Sequence, residues 1–406
     1  MKKILFAICL LSAAVTANAG GFQVNTQGQK ALGMGGAFTA YNKDASAVYY
    51  NPGAVAMLDS GRFISIGSTF VMSRTAFRST ATEQIAEMET QKMFPSYLYV
   101  SLPVAGKLSA GLSINSPYGI HTKWDDNWEG RAVVQEMSLQ TYYVQPTLSY
   151  RISNTFSVGA GLVYGWSDLL VRRQIGEFNG NAKFESQASG FGFNAGIFGK
   201  IQDEISFGIT YRSGIKLNQN KGEATFTNIP AFHGSTYSNQ TTQSELNLPS
   251  TLSVGFSNRI NSKVVASFEF NLTGWSTYDS LNFTFENTET PDVRAGRRYE
   301  DAMAFRVGVD YTRNEKLTLR AGAYFDESPI RDEFVTPDIP DGTRLGLTAG
   351  LSYKLSDRFE LDAAYVYENI SERRAKANEF NPQISNIGGA FRSNTHGIGL
   401  GLNYKF

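Results

Sequence analysis

The 406-residue chain balances 37 basic against 37 acidic side chains and has no polybasic or polyacidic block, so it offers nothing to hold a nucleic acid. Its single cysteine, Cys9, excludes an internal disulfide and any cysteine-based metal site. Glycine (39), phenylalanine (28) and tyrosine (20) run along the whole length, a cue for many strands rather than two or three soluble domains.

Lys2 and Lys3, an apolar run from Ile4 to Val15 and the triplet Ala17-Asn18-Ala19 predict a cleaved secretory signal over residues 1–19. The run falls short of the roughly 20 apolar residues that a membrane helix needs, and no later stretch reaches that length. Loss of Lys2 and Lys3 leaves 35 basic residues (37 − 2) against 37 acidic ones, and Cys9 departs with the signal. A pliable segment follows over residues 20–60, rich in Gly and Ala, broken by Asn51-Pro52-Gly53 and lacking any helix or strand period.

From residue 61 onward the sequence alternates. In "KLSAGLSIN", Leu108, Ala110, Leu112 and Ile114 oppose Ser109, Gly111, Ser113 and Asn115. "FSVGAGLVYGW", "EISFGITYRS", "LTLRAGAYF" and "RFELDAAYVY" repeat the pattern. "HGIGLGLNYKF" closes it, with Ile398, Leu400, Leu402, Tyr404 and Phe406 on one side. Successive strand side chains point to opposite faces. A soluble sandwich alternates too, but its second face is usually charged; this one is Gly, Ser and Thr, as in a polar lumen.

Tight links near residues 105–106, 153–154, 202–203, 261–262, 314–315 and 356–357 alternate with long polar stretches. Those stretches are 79–92, 119–135, 174–182, 218–243, 286–297, 327–341 and 371–393. Six turns and seven loops make fourteen strands. The expected fold is an all-β transmembrane antiparallel barrel over residues 61–406, with short periplasmic turns, long extracellular loops and both termini periplasmic. Closure removes the exposed edges of an open sheet. A barrel of this size has room for the small-residue segment at 20–60, which reads as a plug.

The residues resemble the FadL-type outer-membrane transporters of long-chain fatty acids and other hydrophobic compounds. "GGFQVN" is similar to that family's mature start and "DASAVYYNPG" to its Asn-Pro-Ala hatch motif. "PSYLYVSLPV", "SPYG", "YRS", "LPSTLSVG", "GWSTYDSL", "DESPI" and "IPDGTR" follow in family order. Gly53 stands where the family usually has Ala, a departure expected to loosen the hatch. The resemblance implies a hatch that includes Phe22, Asn51, Pro52 and Gly53, and a sideways exit at an inward kink in the third strand. Locally, Pro117 cannot donate to a strand ladder and Gly119 permits a kink, so Ser116, Pro117, Tyr118 and Gly119 are the candidate interruption. Taken alone, Pro117 reads more readily as the end of the strand at its loop; the family resemblance favours the interruption instead.

Alternation places Arg212, Arg306, Arg320 and Arg344 in the lumen, where one or two guanidiniums can hold a fatty-acid head group while the tail lies on apolar lumen or hatch residues such as Phe22. The competing role is a charge ladder with Asp310, Glu360 and Asp362 that braces wall or plug. In "ATFTNIPAFHG", Phe226, Ile229 and Phe232 form a candidate apolar capture patch, or else loop packing. "HTKWDDNWEGR" fits loop docking or interfacial anchoring better than calcium binding.

His121, His233 and His396 lack metal-ligand spacing, and no hydrolase elbow or phosphate loop occurs. No catalysis, cofactor or metal is expected. The expected role is passive uptake of hydrophobic small molecules by a monomer in the outer membrane of a Gram-negative bacterium. Partners there are outer-membrane lipid, lipopolysaccharide and the barrel-assembly machinery, which would engage the last strand ending in Phe406. Rival readings are a polar-solute porin, a surface-binding or haem-receptor-like protein, and an outer-membrane lipid hydrolase.

Overall fold

A computed structural model describes residues 20–406 except 42, 59–60, 176–177 and 376–386. The expected signal at 1–19 and the middle of the last long loop lie outside the described residues. Fourteen barrel strands follow in chain order. The first four are β1 Phe63–Ser79, β2 Ser96–Ala105, β3 Leu108–Asn115 continued as Gly119–Lys123, and β4 Glu136–Arg151. Next come β5 Phe156–Ile175, β6 Gly180–Lys200, and β7 Ile205–Arg212 continued as Ile215–Thr227. β8 joins Gln240–Leu248 to Thr251–Arg259, β9 joins Val264–Thr273 to Ser280–Phe285, and β10 joins Val293–Gly296 to Ala302–Thr312. The last are β11 Leu317–Asp326, β12 Arg344–Lys354, β13 Phe359–Ala375 and β14 Gly389–Lys405.

Each strand pairs antiparallel with the next, and β1 closes on β14 from Phe63↔Lys405 to Ser79↔Gly389. The ladders thus close the wall on itself and satisfy its backbone groups strand to strand, the condition for spanning lipid. Large apolar side chains such as Leu148, Leu162, Phe191, Leu347 and Leu400 stand exposed on the outside. Their neighbours Ser149, Ser157, Asn194 and Thr348 point inward and are buried. The alternation was assigned to the correct faces.

Several stretches expected as loops are strand. β5 and β6 reach Ile175 and Gly180, β7 reaches Thr227, β8 starts at Gln240, and Gly119–Lys123 continues β3. Polarity misled the boundary. Above the bilayer the outer face of a hairpin meets water, so Lys183 and Glu185 are exposed or half-exposed there while Ala182 and Phe184 still point inward.

Residues 20–41 and 43–58 run inside the barrel. They contain two short helices, α1 (Gln29–Gly33) and α2 (Ala47–Tyr50), and a 3-10 turn over Pro52–Met57. Above them sits the main apolar core, where loop residues Trp124, Trp128, Trp275 and Phe334 meet lumen residues Phe77, Leu139 and Phe184.

Candidate functional site

The hatch is seated on glycines. An added Cβ at Gly159, Gly208, Gly308 or Gly322 would lie 2.3–2.4 Å from hatch backbone atoms of Pro52, Thr39, Met34 and Gly35 respectively. The small inner face read as a polar lumen is thus also a bed that lets hatch backbone approach wall backbone. Asn51 fixes the fit: its amide donates to Thr39 O of the hatch (2.9 Å) and Ile197 O of β6 (3.0 Å), while its carbonyl accepts from Gly53 N (3.0 Å). Pro52 begins the 3-10 turn, where a missing donor costs nothing.

Gly53 tightens the seat rather than loosening it. A Cβ there would stand 2.6 Å from Gly196 O, so the absence of a side chain permits closer contact with β6. The Gly53 carbonyl also accepts from Ser149 Oγ (3.1 Å) and Ser157 Oγ (2.6 Å).

Buried charge completes the anchorage. Glu269 on β9 accepts from the amides of Phe38 and Thr39, each at 2.8 Å. Lys30 of α1 lies 2.5 Å from Glu360 and 3.5 Å from Asp44. Glu269 alternates inward in "ASFEFNLT", and Lys30 is one of two lysines, with Lys43, in a segment of mostly small residues; parity and that contrast are the available signals. Each of the four lumen arginines meets partners within the protein. Arg212 donates to Gln145 (2.7 Å) and Tyr49 O (2.9 Å) and lies over the Tyr49 ring. Arg306 donates to Asn271 (2.7 Å) and reaches Asn25, Gly35 O and Asp326. Arg320 pairs with Asp310 at 2.9 Å, and Arg344 pairs with Asp341 at 2.8 Å while donating to Gly21 O.

β3 is interrupted where the sequence suggested. Pairing with β4 runs to Asn115↔Tyr143 and resumes at Gly119↔Gln140. Three β3 residues, Ser116 to Tyr118, face two on β4, so the strand carries one extra residue and bulges. Thr141 holds the bulge: its hydroxyl donates to Tyr118 O (2.7 Å) and lies 3.1 Å from Tyr118 N. Pairing with β2 ends at Tyr97↔Asn115. Pro117 therefore does not end the strand; beyond it β3 continues along β4, while pairing with β2 has ceased.

The start of the chain's described part fills the freed edge. Val24 N donates to Pro117 O and Gly119 N to Phe22 O, both at 2.9 Å, and Gln23 bridges Tyr118. Gln27 adds a bond to Ser116 O (2.7 Å). Phe22 is buried, with its ring 4.7 Å from Trp275, 5.4 Å from Tyr278 and 6.1 Å from Tyr118 in edge contacts.

Beside this joint lies a cavity of about 1110 Å³. Its lining includes inward-facing Thr75, Tyr118 and Tyr324, and also outward-facing Ile66, Leu98 and Leu400. It runs from lumen to lipid face. Phe22, Ser116, Tyr118, Gly119 and Arg344 border it; Arg212 and Arg306 border a separate space of about 80 Å³.

The three capture candidates separate. Phe226 is buried against Phe184, Tyr237 and Phe285, Ile229 is half-buried, and Phe232 is 78% exposed. Trp124 and Trp128 stack at 4.5 Å and donate to Pro337 O and Val134 O, which is loop docking. The 327–341 stretch folds inward, and its Asp338 pairs with buried Arg297. Burial opposes ionisation of Asp338, but the Arg297 charge and its hydrogen bonds, with those of Thr336, hold the carboxyl below its usual range.

Comparison with known proteins agrees with this architecture. The model of the outer membrane protein transport protein family (OMPP1/FadL/TodX) matches residues 10–406. The long-chain fatty acid transport protein of Escherichia coli K12 is 27% identical, with both chains covered in full. Outer membrane protein P1 of Haemophilus influenzae Rd is 24% identical over the same extent. A Pseudomonas aeruginosa FadL homologue superposes with a TM-score of 0.83 at 21% identity, covering 95% of this chain and 99% of its own. The Pseudomonas putida toluene transporter TodX gives 0.73 at 17% identity, covering 93% and 97%. With a fourteen-strand wall, an occupied lumen and a family match along nearly its whole length, this chain belongs to the FadL/TodX family of outer-membrane transport proteins.

Proposed function

We propose that the protein carries hydrophobic molecules passively across the outer membrane and releases them sideways between β2 and β3. The observation that carries this reading is the single cavity lined by both lumen-facing and lipid-facing side chains at the β3 bulge. An apolar solute dissolves poorly in a water-filled pore, and a route through the wall into lipid avoids that step. Relatives named for fatty acid and toluene transport support the cargo class.

In this scheme exposed Phe232 offers loop capture, with Ile229 and Phe226 behind it. Phe22 and its aromatic partners gate the opening framed by Ser116, Pro117, Tyr118 and Gly119. Displacement of residues 22–24 from Pro117 and Gly119 clears the path, while Asn51, Pro52 and Gly53 keep the rest of the hatch seated. Arg212, Arg306 and Arg320 brace hatch and wall; Arg344, at the cavity border, is the one positioned to meet a carboxylate cargo. The signal at 1–19 directs export, and the C-terminal strand ending in Phe406 is read by the barrel-assembly machinery.

The test is uptake of labelled oleate and of toluene in a strain lacking the gene, complemented with the natural chain or with Pro117 deleted to restore equal strand counts. Uptake should fall to the deletion level with Pro117 removed while the barrel still shows heat-modifiable migration. Unchanged uptake in that variant would move the exit to the periplasmic end. Normal uptake in the deletion strain would remove the function itself.

A further inference from the structure

Charge on the outer face of the barrel is distributed unequally. On β4 to β8, exposed and half-exposed cations above the apolar zone are matched by acids. Arg172 meets Glu136 at 3.0 Å, Lys183 meets Glu185 at 2.8 Å, and Lys216 meets Glu245 at 2.9 Å. On β13, β14 and β1 the arrangement differs. Arg74, Arg78 and Arg392 are exposed, and among the described residues none of them forms an ion pair. Arg374 has only Glu372 of its own strand, at 3.6 Å.

Register places these guanidiniums together. Arg392 lies opposite Ala76, so it is the diagonal neighbour of both Arg74 and Arg78. Ala390 stands between Arg78 and Arg374 in one row, and Asn394 between Arg74 and Asn369 in another. Diagonal neighbours on a sheet face are about 7–8 Å apart, within reach of two arginines converging on one anion. Glu87, opposite Ala76 on the far side of β1, is the acid closest in register and forms no ion pair.

Height along the strand identifies the anion. Below Arg74 the outer face of β1 carries Ile64, Ile66, Ser68, Phe70 and Met72, and β14 carries Leu402, Leu400, Ile398 and His396, a mainly apolar pair of rows. From Ile64 to Met72 a tilted strand rises about 20 Å, close to the height of an outer-membrane apolar band. The arginines begin at the upper end of that band. Guanidinium forks pair with phosphate through parallel hydrogen bonds.

We infer that the outward face formed by Arg74, Arg78, Arg392 and Arg374 is a binding site for the phosphate groups of the outer-leaflet glycolipid, lipid A. The acyl chains lie against the apolar rows below, and the glucosamine phosphates rest between the guanidiniums. The inference stands apart from the cargo route, because these side chains face away from the lumen.

The test titrates the purified full barrel, in detergent, with lipid A and with the same lipid stripped of its phosphates, counting bound molecules by native mass spectrometry. The natural chain should prefer the phosphorylated form by more than about tenfold, the scale of a lost charge-assisted pair. Arg74→Gln, Arg78→Gln and Arg392→Gln together should erase that preference. Lys183→Gln with Lys216→Gln, on the opposite wall, should leave it intact. Equal binding of the two lipids by the natural chain overturns the proposal without reference to any variant. So does a preference that survives the triple change, or that falls equally in the opposite-wall control. Equal retention of phosphatidylglycerol and lipid A would also count against it, as a general pull on anions.

Discussion

The lower and upper halves of the lumen are built on opposite plans. In the lower half, near the periplasmic turns, hatch backbone lies against wall glycines, and Asn51, Glu269 and Lys30 tie hatch to wall through hydrogen bonds and an ion pair. In the upper half large apolar side chains and inward-folded loops fill the space, leaving the cavity at the β2–β3 joint. Backbone-on-backbone packing pinned by directional hydrogen bonds has few alternative arrangements. Aromatic and aliphatic side chains can exchange partners at small cost, since an apolar cargo replaces like with like. The lower half is suited to sealing and the upper half to admitting guests.

That contrast can be broken at its seam. Phe22→Ala removes a buried ring from three aromatic neighbours and should cost the docked N-terminal segment about 3–5 kcal/mol. Cargo binding should weaken and protease should cut near residue 22, yet ion conductance in planar bilayers should stay closed. Current through the Phe22 variant would mean the upper half shares in the seal.

The lower half is probed by Glu269→Ala, which leaves the amides of Phe38 and Thr39 without an acceptor in a buried site. A loss of about 3 kcal/mol is expected, and conductance should now be measurable. Gly53→Ala is milder: a methyl meeting Gly196 O should cost about 1–3 kcal/mol. It should show as faster hydrogen exchange over residues 51–57, with cargo affinity little changed. Unaltered exchange would mean that the seat tolerates the bulk.

The smallest effect concerns the loop cover. The Asp338 carboxyl is held below its usual range, so its pairing with Arg297 is fully stabilising above the ordinary carboxylate value. That contribution is lost as pH falls through the depressed one. Proteolysis of the 327–341 stretch should therefore be flat at neutral pH and rise only below about pH 4. Asp338→Asn should be cut faster at pH 7 and lose much of that acid dependence.

Wall and faces were legible because period-two alternation is a local property: Leu400 and Ser149 could be assigned from their neighbours alone. Strand lengths were less so, since hairpins above the bilayer carry polar outer faces, as at Lys183. Pro117 marks the interruption at Ser116–Tyr118, but locally it reads as a strand end and only the family resemblance favoured a strand that continues; the filling of the gap by Phe22–Val24 joins residues far apart in sequence and leaves no local mark. The arginines were placed on the correct face, yet their partners come from strands and loops that no linear spacing relates. The inner glycines were visible as a pattern, but a glycine that welcomes backbone and one that merely lines water look alike on paper.

Pairing of β1 with β14 joins Thr75 to Ser393, 318 residues apart. No cylinder exists until the last segment of the chain has been delivered, and up to that moment both edges are open to unwanted pairing. Maturation should accordingly be slow, limited by the meeting of remote ends rather than by any hairpin. Truncation before Gly389 should produce an aggregating sheet instead of a smaller pore.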